Sequence, residues 1–193
     1  MKKLIMSDLL SLEEYDKSRE QIKAGLISHK KNRSIKIGDH ILILFEDYET
    51  IKYQVQEMLR IEKIFKEKDI QEEIDAYESL IPDGNNLKAT MLIMYTDERE
   101  RKVMLNKLHD LENNVWLSID SSKRIFAVSD EDLERSRDEK TSAVHFLRFQ
   151  LDDSQINLFK KSTNIVFGVD HKEYDVQTEL DQNTIHSLSE DFD

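Results

Sequence analysis

Glu62 stands where a helix should be greasy. From Tyr48 to Phe65 the apolar positions Ile51, Val55, Met58, Leu59 and Phe65 recur with the 3.6-residue period of an amphipathic helix. Counted at 100° per residue, Glu62 falls about 20° from the centre of that stripe. A carboxylate turned inward must meet a cation, a histidine or a metal, because an unpartnered one is costly to bury or takes up a proton. The segment Thr141-Ser-Ala-Val-His-Phe-Leu-Arg-Phe149 supplies the partners. Read as a strand, it carries Ala143, His145, Leu147 and Phe149 on one face and Val144, Phe146 and Arg148 on the other. His29, seven residues after Ile22 and three after Leu26, lies on the apolar stripe of an earlier helix. These residues, with Glu57 from the opposite side of its helix, predict an internal polar cluster of His29, Glu57, Glu62, His145 and Arg148.

Two chemistries fit such a cluster. One is a buried salt bridge or hydrogen-bonded pair that fixes register. The other is a His/carboxylate metal site of His29, Glu62 and His145, which would make the chain a metal- or haem-binding enzyme or sensor. The sequence has no Glu-x-x-His, no His-Glu-x-x-His and no close histidine pair, so the metal reading rests on inferred proximity. No catalytic residue and no particular cofactor is named by the pattern.

A second anomaly is electrostatic. Residues 21–38 hold Lys23, Lys30, Lys31, Arg33 and Lys36 and no acid, in a chain with 28 basic and 40 acidic side chains and a net charge of −12. Lys30, Lys31 and Arg33 are the candidate anion- or partner-binding patch. Cations at a helix C-terminus also complement the macrodipole, which is the plainer reason for them. Asp170-His171 is a further acid/base or ligand pair at a strand end, or an ordinary turn dipeptide. A small anion- or nucleotide-binding regulator is a third possibility, although the glycine signatures of nucleotide enzymes and the Gly-x-Ser-x-Gly elbow are lacking. Trp116, Phe126, Phe146 and Phe149 recur at strand spacing with few basic neighbours, the pattern of core filling.

The elements that must position these residues can be read from periodicity and turn chemistry. Ser11 with Glu14 has the form of a capping box and opens a helix to about residue 30. A strand follows at 41–45, then helices over 48–65 and 69–80, and a turn at Pro82-Asp-Gly84. Beyond it come a strand at 89–95, a helix at 97–111, a hairpin of 115–119 with 124–128, a strand at 142–151, a helix at 152–161 and a strand at 165–169. The expected fold is α+β: an N-terminal helical layer of three helices and one strand, packed on a mostly antiparallel sheet with two further helices. Residues 1–175 are read as one domain. Residues 176–193 have five acids and no Lys or Arg, and are read as a poorly ordered acidic tail, with a short docked helix at 184–188 as the alternative.

Composition narrows the function classes. There are no cysteines among 193 residues, which excludes disulfides, thiolate metal sites and cysteine nucleophiles. With a mean hydropathy of −0.63, no apolar stretch approaches a membrane span, and residues 1–6 are too short for a secretory core. The expected address is the cytoplasm. The negative charge weighs against nucleic acid and anionic membranes as partners.

The ordered segments His29-Lys-Lys-Asn-Arg33, Leu44-Phe-Glu-Asp47, Gln54-Val-Gln-Glu-Met-Leu-Arg-Ile-Glu62, Leu80-Ile-Pro-Asp-Gly84, Ala89-Thr-Met-Leu-Ile93, Asp138-Glu-Lys-Thr-Ser-Ala-Val-His-Phe-Leu-Arg-Phe149 and Gly168-Val-Asp-His171 resemble the bacterial domain of unknown function 3501 family. The resemblance spans nearly the whole chain and brings no catalytic residues with it. It implies a setting: genes of this family often lie beside a rubrerythrin-like peroxide-scavenging protein and a cysteine-rich iron–sulfur oxidoreductase. The reading that follows is a non-catalytic cytoplasmic accessory protein of an oxidative-stress or redox system, docking on such a partner through Lys30, Lys31 and Arg33.

Overall fold

A computed structural model describes residues 3–131 and 141–192. The expected segment beginning at Asp138 therefore enters the described region only at Thr141, and Met1, Lys2 and Asp193 also lie outside it. Among the described residues nine strands form two antiparallel sheets. The first contains β1 (Ser34–Ile37), β2 (Ile41–Glu46), β3 (Asn86–Ile93), β6 (Val128–Ser129) and β7 (Val144–Gln150) in the order β1-β2-β3-β7-β6. The second contains β4 (Val115–Ile119), β5 (Ile125–Phe126), β8 (Ile165–His171) and β9 (Tyr174–Glu179) in the order β5-β4-β8-β9.

Alternation builds the sandwich. In β2 Ile41, Ile43 and Phe45 point inward while Leu42 and Leu44 are half-buried, so the apolar run is covered unequally on its two faces. The inward residues of both sheets form one apolar core, in which Phe45 and Phe149 meet Phe167 edge-on at 5.3 and 5.2 Å. Trp116 lies directly over Gly168, where any side chain would collide with the indole.

The helical layer has a separate, smaller core. Helix α1 (Leu12–Lys30) begins at the predicted Ser11/Glu14 capping box. Helix α2 (Tyr48–Glu62) is capped by Asp47, and α3 (Glu67–Glu78) follows. Ile51, Val55 and Leu59 of α2 pack on Ile74 of α3, Ile81 and Leu4. Helices α4 (Glu98–Lys107) and α5 (Asp153–Phe159) are the two others expected. The α+β class is as the sequence predicts.

Three stretches of the chain depart furthest from expectation. β1 lies inside the basic segment; its alternation of buried Ile35 and Ile37 with outward Lys36 is half-hidden among charges. Helix α2 stops at Glu62 because Lys63 takes a left-handed conformation, which leaves Glu62 exposed and Phe65 outside the stripe. The acidic C-terminal stretch is folded as far as it is described. A boundary at 175 falls within β9, and α6 (Gln182–Ser189) follows in place of a frayed tail, as the docked-helix alternative has it. Leu180, Ile185, Leu188 and Phe192 join the sandwich core, and that apolar burial outweighs the charge of the intervening acids.

Candidate functional site

The predicted polar cluster is dispersed. Glu62 is exposed at the end of α2. Arg148 turns away from the core and pairs with Glu131 through two bonds of 2.7 Å. His29 bonds Asp47 at 2.5 Å. Glu57 lies between helices, and His145 is wholly buried in β7 among other partners. No two of these five residues bond each other, so His29, Glu62 and His145 share no metal site among the described residues. The misplacement has one origin: the α2 stripe covers α3 and the N-terminal segment rather than the strand that holds His145.

Arg33 also departs from its expected role. It is 2% exposed, and its guanidinium reaches Asp191 at 2.6 Å, Asp47 at 3.2 Å and the Ser187 carbonyl at 3.1 Å. It pins the C-terminal segment and is not available to a partner. Burial pushes the Asp191 carboxyl up to about 6, against the opposing pull of Arg33. Lys31 remains exposed and Lys30 half-exposed. The Asp170-His171 pair is also consumed structurally. Asp170 holds Arg124 at 2.6 Å, and His171 accepts from Glu173 N–H while its other ring nitrogen meets the His109 carbonyl.

A groove with a volume of about 660 Å³ lies between α1 and α2. Two polar clasps hold the helices together at its ends. At one, Glu57 receives the Tyr15 hydroxyl at 2.6 Å and the Arg19 guanidinium at 2.7 and 2.9 Å. Hydrogen bonding from Arg19 holds the Glu57 carboxyl down at about 2, and burial raises the Tyr15 phenol. At the other, His29 meets Asp47. Between the clasps α1 stands off α2, because the residues it turns inward, Ser18, Ile22, Gly25 and Leu26, are small or only half-buried. Leu10, Tyr53 and Gln56 complete the lining. A methyl group added at Gly25 would meet nothing within 4 Å.

The groove is mostly apolar, with Glu49 and Lys52 both on its α2 wall, and Lys30 and Lys31 lie at the α1 C-terminal end outside its lining. That arrangement suits an amphipathic segment with acidic residues rather than a small polar substrate. The sequence brings out the basic end, whereas the groove depends on how far two helices stand apart, which no spacing encodes.

Comparison with known proteins gives family and fold. A crystal structure from Burkholderia pseudomallei K96243, described as a novel protein of unknown function, is 46% identical over 100% of both chains, with a TM-score of 0.93. Among curated proteins none matches. The sequence model described as "Protein of unknown function (DUF3501)" matches residues 3–192, and the chain belongs to that family.

Proposed function

We propose that this protein is a non-catalytic accessory protein that receives an acidic, amphipathic segment of a redox partner in the groove between α1 and α2. One observation carries the reading: an open, mostly apolar groove of about 660 Å³, with Lys52 and Glu49 on its wall and Lys30 and Lys31 just beyond its α1 end. The redox setting rests on the resemblance, which points to a rubrerythrin-like protein or a cysteine-rich iron–sulfur oxidoreductase as the partner, in the cytoplasm. Arg33 drops out of the docking surface, and Lys30, Lys31, Lys23 and Lys52 carry the charge.

The test is a salt-titrated binding measurement between the purified chain and each of the two partner classes. Binding that weakens with salt, and falls at least roughly tenfold in Lys30→Glu/Lys31→Glu and in Leu26→Asp, supports the groove. Equal binding by wild type and both variants, or no binding to either class, ends the proposal.

A further inference from the structure

Among the described residues Lys88 has no hydrogen bond and no ion pair. In β3 the alternation that turns Leu87 and Ala89 into the core turns Lys88 and Thr90 to the other face of the sheet, where Lys88 is half-buried. Its register partners on the flanking strands are Glu46 of β2 and Arg148 of β7. Glu46 accepts from the Thr50 and Thr90 hydroxyls, at 2.7 Å each, and does not pair with the lysine. Arg148 is a second cation, and like charges directly opposite on neighbouring strands are destabilising. The acids that act on Lys88 are already engaged, Glu131 with Arg148 at two points and Asp83 with Asn86. Burial, and after it the Arg148 guanidinium, push the Lys88 ammonium below the usual lysine range.

The lysine lines a pocket of about 150 Å³ between β3, β7 and the end of α3, together with Arg148, Glu131, Ser79 and Leu80. Free donors meet there. The Ser79 hydroxyl, like the Lys88 ammonium, has no partner among the described residues. Arg148 uses three of its five N–H groups, two on Glu131 and one on Gln150, which leaves two. Two cations against one acid give the described lining a net positive charge. We propose that this pocket binds a small oxyanion, a carboxylate or a phosphate, through the Lys88 ammonium, the remaining N–H groups of Arg148 and the Ser79 hydroxyl. The volume suits a ligand of a few heavy atoms, since a cavity of about that size holds benzene. An oxyanion supplies the opposite charge that Glu46 and Glu131 withhold from Lys88, and by bridging Lys88 and Arg148 it turns a repulsive cross-strand pair into a shared site. The site lies on the outer face of the first sheet and is independent of the groove between α1 and α2.

The experiment follows the Lys88 Cε resonance by NMR in full-length protein carrying ¹³C-labelled lysine, assigned through Lys88→Arg. Inorganic phosphate and acetate are titrated in separate arms, each against sodium chloride of equal ionic strength. The expected result is a saturable shift of this resonance with at least one probe, and a Lys88 pKa that rises on binding because the anion favours the charged amine. The tighter probe tells a phosphate ligand from a carboxylate. Lys88→Met should lower the affinity roughly ten- to hundredfold, the worth of a charge-assisted hydrogen bond, read as loss of the anion-dependent rise in Tm. Glu131→Gln, which releases the Arg148 guanidinium, should tighten binding. Wild-type protein in which neither anion moves Lys88 Cε beyond the chloride control overturns the proposal, as does a rise in Tm that Lys88→Met keeps in full. The wild-type titration decides the matter even if Lys88→Met fails to fold.

Discussion

Between the sheets, Phe167 is completely buried and touches Phe45 and Phe149 edge-on; along the nineteen residues of α1, Tyr15 alone is buried. Both regions are held, but by different forces. The sandwich is fixed by apolar area and interdigitated rings, so each side chain there is answerable to many others. Helix α1 is fixed by two polar clasps, Glu57 with Tyr15 and Arg19 at one end and Asp47 with His29 at the other. Polar clasps leave a space between them. A region organised that way can accept a partner without disturbing the rest of the fold.

The largest expected effect tests that division directly. Phe167→Ala should cost about 3–5 kcal/mol, through lost transfer energy and the cavity left between two other rings. Leu26→Ala, in the groove, should cost less than about 1 kcal/mol, because Leu26 is only half-buried. Urea unfolding of both variants gives the two numbers. Comparable losses would mean that the groove is closed in solution and that the contrast between the regions is false.

The second effect is a difference of sign in pH dependence. Glu57 has a folded pKa near 2, below its ordinary 4.5, so its clasp contributes stability above pH 4.5 and loses it as the pH falls towards 2. Allowing for solvent screening at this open site, the contribution is about 1–2 kcal/mol. Asp191 behaves oppositely. Its folded pKa of about 6 exceeds its ordinary 3.8, so its ionised form is a burden on the native state above pH 6, relieved as the pH falls towards 3.8. That relief is on the order of 2–3 kcal/mol. Asp191→Asn should remove a gain in stability between pH 6 and 4, whereas Glu57→Gln should remove a loss between pH 4.5 and 2. Thermal melts across pH 2–7 separate them. An unchanged profile in Asp191→Asn would show that Arg33 balances the buried carboxylate fully.

These regions also differ in how much of them the sequence exposes. Strands and helices with a clean period are legible: Ile41 to Phe45, the α2 stripe as far as Leu59, and the Ser11/Glu14 cap follow from spacing alone. The edges are not. In β9 Tyr174, Val176 and Thr178 alternate with outward Asp175, Gln177 and Glu179, and composition hides a period of two when three of the six residues are exposed. Arg33 reads as part of a cationic patch because the acids that bury it lie 14 and 158 residues away, at Asp47 and Asp191. The surroundings of His145 are half legible. The histidine stands out on an apolar strand face, yet Thr141, which bonds it, also reaches Glu112, 29 residues away in the sequence. Burial can be read from one strand, whereas its partners belong to the topology.

The smallest effect bears most closely on function. Gly25 sits in the interior of α1, where glycine disfavours the helix by up to about 1 kcal/mol relative to alanine, and no neighbour within 4 Å of a methyl group would oppose the change. Nothing inside the molecule requires a glycine there. Gly25→Ala should therefore stabilise the chain by roughly 0.5–1 kcal/mol in urea unfolding. An occupant of the groove changes the balance, because glycine lets a second backbone approach α1 closely, and the added methyl would hold it away. Gain in stability together with weaker partner binding would place the occupant against this stretch of α1. Gain in stability with unchanged binding would move the contact to the Tyr53 and Lys52 wall of α2, and the open space at Gly25 would then be a property of the helix and not of the docking site.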